Sequence, residues 1–264
     1  MGKECITLYQ RRASPLPGKN DPEFEFISSL GKISNTIIFP EYFTFHPRIQ
    51  SLDDLLRNSQ ETLKKLIDLS LEKDFSSTMI VGGTVILSKD NRLYNASPVI
   101  YNGSIMQYYY KRSLFLKENE HLSRGAEGVI LENPATGDLW GFLICSDVNH
   151  PDYFLNYKKV KYIAIPVASP FLPEDTPEAR LNRDISIFQN GAKESGALLF
   201  KCCLTGQTGT IYHDKTPLHP SKVQGRSLIA APEEILARAP DIDWQGALCY
   251  STLNAGVQTI SYTG

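Results

Sequence analysis

The stretch Leu139-Trp140-Gly141-Phe142-Leu143-Ile144-Cys145-Ser146-Asp147 carries the reading of this chain. From Leu139 to Ile144 it is an uninterrupted apolar run of strand length, the pattern of a strand covered on both faces. The run ends on a cysteine, and Ser146 and Asp147 open a turn ahead of a helical pattern at residues 152–159. Open α/β sheets build their sites at the carboxyl ends of strands, so a reactive side chain there is a candidate for chemistry. A thiol at such a junction is reachable and can borrow outward-pointing backbone N–H groups. The competing reading is a structural cysteine packed in a core, a common fate of a free thiol.

The same alternation of apolar runs and helical patterns extends in both directions. Upstream, residues 5–10 and 36–39 read as buried strands, separated by a Pro- and Gly-rich loop at 14–22 and a short helix from about Glu23. Residues 53–73 form the clearest helix: Leu55, Leu56, Leu63, Leu66, Ile67 and Leu71 share one face, and Asp53 is placed to cap its start. Strand patterns follow at 78–87, 93–101 and 105–110, with turns at Asp90-Asn91 and Asn102-Gly103. Residues 129–131 pair with 139–144 around Thr136-Gly137-Asp138. Downstream come a strand at 162–166, a helix at 180–195, a buried strand at 197–203, and late strands at 227–231 and 247–253. Alternation without a linker predicts one α/β domain over 1–264, with a core at about 4–254, and the many hairpins predict a mixed sheet.

Composition removes several function classes. The 264 residues carry 27 Lys and Arg against 29 Asp and Glu, a net charge of −2, so no broad cationic surface is offered to nucleic acid or anionic lipid. No run approaches the ~20 apolar residues a spanning helix needs, and the beginning lacks a charged-then-apolar signal pattern. Gly2 invites an N-myristoylation reading, but Ile6 stands where that motif wants Ser or Thr. Five cysteines, two of them adjacent at 202 and 203, suggest free reduced thiols rather than a disulfide framework. A soluble cytoplasmic protein is the expectation. Glycine-rich phosphate loops, the nucleophile elbow Gly-x-Ser-x-Gly and His-Glu-x-x-His are all missing, so dinucleotide and nucleotide-triphosphate chemistry is disfavoured. The five histidines are scattered, and His213 and His219 share a loop without Cys or carboxylates at metal spacing. Neither a metal nor a cofactor is expected.

Two further segments end strands in reactive groups. In Ile37-Ile38-Phe39-Pro40-Glu41, Pro40 stops an apolar strand and a carboxylate follows at once. Desolvation there would raise the carboxyl pKa toward the range useful to a general base; a surface glutamate opening a loop is the alternative. In Tyr108-Tyr109-Tyr110-Lys111, a lysine ends an aromatic strand, with Glu118 and Glu120 close behind. Its ammonium either sits in a dry cleft, where it would hold a developing oxyanion, or snorkels past the tyrosines into water.

Taken in order, Phe39-Pro40-Glu41, then Lys111, then Ile144-Cys145-Ser146-Asp147 resemble the nitrilase, or carbon–nitrogen hydrolase, superfamily. The segment Lys111 to Gly125 is similar to that family's Lys-x-x-Leu…Glu-x-x-x-Leu-Ser-Pro-Gly, with Arg124 where proline is usual. Cys145 to Asp152 resembles Cys-Tyr-Asp-x-Arg-Phe-Pro-Glu, and both Pro166-Val167-Ala168 and Gly225-x-Ser227-x-Ile229-x-x-Pro232 fit later family strands.

The resemblance implies an αββα sandwich with mixed β-sheets and homodimers or higher homo-oligomers. It also implies a catalytic Glu–Lys–Cys triad of Glu41, Lys111 and Cys145. Glu118 matches the second glutamate that orients the triad, with Glu120 two residues away as the rival register. Ser146, Asn149 and His150 flank the nucleophile and are the implied substrate and oxyanion contacts. Asn149 and His150 depart from the family's usual arginine and aromatic residue, and Cys203 falls where asparagine is frequent, either as a small buried filler or as a second reactive thiol. The implied activity is hydrolysis of a small linear amide or carbamoyl compound through a Cys145 thioester. A nitrilase acting on nitriles and a catalytically idle binding protein are the rival readings.

Overall fold

A computed structural model describes residues 5–49, 51–115, 118–170, 176–209, 221–240 and 242–263. The first part of the chain runs β1 (Cys5–Arg12), α1 (Pro22–Ile33), β2 (Thr36–Ile38), α2 (Leu52–Leu71), β3 (Met79–Val81), β4 (Val85–Lys89), β5 (Arg92–Tyr101) and β6 (Ser104–Tyr110). Then come α3 (Glu118–His121), β7 (Ile130–Glu132), β8 (Leu139–Phe142), α4 (Pro151–Leu155), β9 (Tyr162–Val167) and α5 (Pro177–Ser195). The chain closes with β10 (Leu198–Thr208), β11 (Ser221–Val223), β12 (Leu228–Ala230), β13 (Ile235–Arg238), β14 (Gly246–Ser251) and β15 (Val257–Ser261).

The strands follow the order β4-β5-β3-β2-β1-β10-β9-β8-β7. The pairs β3–β2, β2–β1, β1–β10, β10–β9 and β9–β8 are parallel, and the hairpins are antiparallel, so the sheet is mixed as expected. Only Arg11↔Leu204 and Arg12↔Thr205 join β1 to β10. Backbone pairing between the β1 and β10 halves is therefore confined to a short seam at the carboxyl end of β1.

Strand alternation sorts the core into two faces. Ile6, Leu8, Ile38, Met79, Val81 and Val99 point toward Trp140, Phe142, Ile163, Leu199 and Phe200 of the β8–β10 half. Their neighbours Tyr9, Ile37, Ile80 and Ile100 point the other way, onto Ile27 and Leu30 of α1 and Leu66 and Leu69 of α2. Helices thus cover one face of the β1 half while the β8–β10 half covers the other. Fully burying each such aliphatic side chain contributes about 1.5–3 kcal/mol.

Several boundaries differ from the sequence reading for identifiable reasons. Ser51, not Asp53, caps α2, its hydroxyl accepting the Asp54 N–H at 3.1 Å. The single strand expected at 78–87 is broken between β3 and β4, because Gly83 adopts φ +58° with Pro40 O at 2.2 Å from where a Cβ would stand. The helix expected at 152–159 ends early: α4 stops at Leu155 and the chain continues in tighter turns, with the Tyr157 N–H on Phe154 O at 2.9 Å and the Val160 N–H on Tyr157 O at 3.1 Å. Beyond residue 254, β15 pairs with β14 from Val257↔Tyr250 to Ser261↔Gly246. The hairpin turns at Asp90-Asn91 and Asn102-Gly103 stand where expected, all four residues at positive φ. The readings on residues 1–4, His213 and His219 lie outside the described residues. No helix among the described residues is long and apolar enough to cross a membrane.

Candidate active site

Phe39 continues the line of β2 by donating its N–H to Val81 O at 2.9 Å, and Pro40 ends the pairing. Glu41 follows with 1% of its surface exposed, so it is no surface glutamate. Its Oε1 accepts from Lys111 Nζ at 2.7 Å and Asn95 Nδ2 at 2.9 Å, and its Oε2 accepts the Ala168 N–H at 2.9 Å. Burial pushes the carboxyl pKa above its ordinary value and Glu118 adds to the rise, against the pull of the Lys111 ammonium.

Lys111 follows directly on β6 and is buried; its N–H donates to Asn95 O at 2.9 Å and its carbonyl accepts the Gly125 N–H at 2.8 Å. The ammonium does not snorkel. It bridges Glu41 and Glu118, the latter at 2.8 Å to Oε2 and 3.0 Å to Oε1. Burial alone would lower the lysine pKa, but the two carboxylates outweigh it and the amine stays protonated. Glu118 also accepts from Tyr42 Oη at 2.6 Å and from the Phe115 N–H at 2.8 Å. Burial opposes its ionisation; the Lys111 charge and these donors prevail and hold its carboxyl below the ordinary value. Glu120 is 63% exposed and pairs only loosely with His121, so Glu118 is the glutamate at the cluster.

Cys145 sits where the chain leaves β8 through Leu143 and Ile144, and it opens the 3-10 turn at φ +44°. Non-glycine residues rarely adopt that region, and strain of this kind collects at functional sites. The Glu41 carboxylate acts on this side chain: burial first, then the Glu41 charge, pushes the thiol pKa well above its ordinary value. Asp147, two residues on, accepts from Tyr109 Oη at 2.6 Å and from three backbone N–H groups: Ile144 at 2.9 Å, Arg112 at 3.1 Å and Ser113 at 2.6 Å.

A cavity of about 280 Å3 opens on Cys145, with Ser146, Val148 and Asn149 on its wall and Phe115, Val167 and Phe188 around them. Ser146 is buried and donates its hydroxyl to Ser113 O. His150 does not reach this lining. The 3-10 turn carries the chain past the cavity before residue 150, leaving the ring exposed, stacked on Tyr153 at 4.9 Å and 2.9 Å from Ser113 Oγ. Cys203 is fully buried in the core, its N–H bonded to Ser227 Oγ at 2.9 Å, as the filler reading has it. Among the described residues no group of three or more His, Cys, Asp or Glu could hold a metal ion.

Sequence reasoning missed Asn95 and Tyr42. The Asn95 amide lies 2.9 Å from Glu41 Oε1, 2.9 Å from Tyr42 Oη and 3.1 Å from Glu118 Oε1, sharing two hydrogens among three oxygens. Asparagine is depleted in strands, so its place inside the 93–101 strand pattern was the available signal.

No protein-family model matches the chain, and no curated protein matches it. Solved structures do. Saccharomyces cerevisiae Nit3, a member of branch 10 of the nitrilase superfamily, is 18% identical over 98% of this chain and 90% of its own, with a TM-score of 0.71. A nitrilase-superfamily amidase from Nesterenkonia AN1 is 16% identical over 96% of this chain and 92% of its own, with a TM-score of 0.69. In a variant of that amidase, acrylamide has added to the active site cysteine. Glutamine-dependent NAD+ synthetase from Acinetobacter baumannii matches 99% of this chain at 18% identity and a TM-score of 0.70, but this chain spans only 48% of its length. The chain has the nitrilase-superfamily fold.

Proposed function

We propose that the chain is a carbon–nitrogen hydrolase acting on a small linear amide or carbamoyl compound, with Cys145 as nucleophile, Glu41 as general base and Lys111 as oxyanion partner. The observation that supports this reading is that Cys145 lies within electrostatic reach of a buried Glu41 carboxylate that Lys111 holds at 2.7 Å. With the thiol pKa raised, the resting proton is on sulfur, available for transfer to Glu41. Sulfur attacks the acyl carbon as its proton passes to Glu41, forming the C–S bond and an oxyanion. Lys111 and the Ser146 backbone N–H, next after the nucleophile, hold that oxyanion; in comparable sites one such donor is worth roughly 3–4 kcal/mol.

Collapse of the intermediate breaks the C–N bond, and the proton held on Glu41 goes to the departing amine. Water then gives a proton to the freed carboxylate and attacks the thioester, releasing acid and restoring the thiol. Glu118, held by Tyr42, Asn95 and the Phe115 N–H, positions the ammonium.

The test is mass spectrometry of the protein incubated with a panel of short amides, carbamoyl compounds and nitriles. An acyl adduct on Cys145 and release of ammonia or amine are expected, with Cys145→Ala folded and inactive. Undiminished turnover by Cys145→Ala would overturn the mechanism.

A further inference from the structure

A cavity of about 370 Å3 lies between the loop at 126–130, which leads into β7, and the end of α4. It shares no residue with the cavity on Cys145. Arg112 and Glu127 are the charged residues of its wall; the others, Asn156 and Tyr157 among them, are neutral. Tyr157 Oη accepts the Val129 N–H at 3.3 Å and donates to Phe142 O at 2.7 Å, which ties the loop to the end of α4. Arg112 is 7% exposed, with its Cζ 3.6 Å from the Tyr153 ring centroid and its Nε donating to Tyr109 Oη at 3.2 Å. Its Nη2 is buried with no hydrogen-bond partner among the described residues. Glu127 is exposed and joins no ion pair among the described residues.

A buried guanidinium N–H without an acceptor costs roughly 1–3 kcal/mol, a cost that a bound acceptor removes. Asp147, the carboxylate behind Tyr109, already accepts from that hydroxyl and from three backbone N–H groups, and it does not bond Nη2. Arg124, Lys158 and Lys159 are exposed and stand outside the wall. The wall therefore carries one cation and one anion. A carboxylate suits the planar guanidinium, but a simple anion would also face Glu127, and a simple amine would face Arg112. A molecule that carries both charges answers both residues, and the cavity is at the small end of ligand sites.

We propose that this cavity binds a small free amino acid, its carboxylate paired with Arg112 and its ammonium with Glu127. Arg112 is the anchor, because it is buried and presents a fork of donors. Glu127 is the weaker partner, because water screens an exposed carboxylate. The site goes beyond the hydrolase reading and does not rest on it.

Titration calorimetry on the full chain tests it. The probes are glycine, β-alanine and γ-aminobutyrate, each beside the plain acid and the plain amine of the same carbon count. At least one amino acid is expected to bind more tightly than its matched acid and its matched amine. Arg112→Lys keeps a cation but loses the planar fork, and should weaken amino acid and acid alike by roughly tenfold, the loss expected for a charged hydrogen bond. Glu127→Gln should leave the acid's affinity in place and remove the amino acid's advantage. That advantage should be about two- to fivefold and shrink in added salt, as for an exposed ion pair. Glu127 is exposed, so Glu127→Gln carries the test should Arg112→Lys fail to fold. An amino acid affinity that either folded variant leaves untouched, equal affinity for an amino acid and its matched acid across the series, or no amino acid binding overturns the proposal. None of these outcomes touches the hydrolase reading, which is decided at Cys145.

Discussion

Asp147 accepts the Ser113 backbone N–H at 2.6 Å while its other oxygen accepts the Ile144 N–H at 2.9 Å. One carboxylate thus ties the turn that starts at Cys145 to the loop that follows Lys111. Asp147→Asn would turn an acceptor into a donor facing either the Ser113 and Arg112 N–H groups or the Ile144 N–H and the Tyr109 hydroxyl. A loss of about 1–3 kcal/mol in denaturant unfolding is expected, with a fall in kcat larger than any rise in KM. Full stability in Asp147→Asn would show that the clamp is not what holds the two loops together.

Lys111→Met removes the ammonium that bridges Glu41 and Glu118 and leaves both carboxylates buried. Breaking a buried pair on one side costs roughly 3–5 kcal/mol. Inactivity together with a lower melting temperature is expected, and adding Glu41→Gln to Lys111→Met should recover part of the stability but none of the activity. Melting unchanged by Lys111→Met alone would contradict the buried pairing.

The pH dependence follows from opposite shifts on the two carboxyls. Glu41 is raised above 4.5 by burial, so the proposed base is lost to protonation at higher pH than an ordinary glutamate would be. The acid limb of kcat/KM should fall above pH 4.5, and Glu41→Gln should abolish turnover. Glu118 is depressed, so its ion pair adds stability that is fully present above 4.5 and is lost as the pH falls through its folded-state value. Alkylation of Cys145 by iodoacetamide should show no thiol titration at the ordinary value of 9.0, because burial carries that pKa well higher. An alkylation profile with its midpoint near the ordinary thiol value would refute this raised thiol pKa.

Gly83→Ala tests how the base is held in place. The added methyl would stand 2.2 Å from Pro40 O and 2.6 Å from the Phe43 ring, at a φ of +58°. Side chains and backbone around Pro40-Glu41 must move, and destabilisation of about 1–3 kcal/mol is expected, accompanied by lost turnover. Differential scanning calorimetry and a turnover assay on the same preparation read both effects; native values for both would remove the proposed role.

The strand ends were legible because they follow from residue order alone: Pro40 stops an apolar run before Glu41, and Ile144 precedes Cys145. What was not legible depends on distant partners. Nothing local to Asn95 says that its amide meets two glutamates, and nothing near Ala168 says that its N–H orients Glu41. The broken strand at Gly83 needed the position of Pro40 O, and His150 turned away because the 3-10 turn after Cys145 is tighter than the residue types imply. The short strands β11 and β13 and the late β15 carry partly exposed or uncharacteristic residues and offered little alternation to read.

The narrow seam between β1 and β10 gives Glu41 a second office. Its carboxylate reaches from the end of β2 to Lys111 on one side and to the backbone after β9 on the other, so it is itself a rivet between the two halves. Breathing that parts the halves would pull the rivet and, on the proposed chemistry, disarm the thiol in the same motion. A loosened molecule would therefore fall silent rather than become an indiscriminate acylating agent.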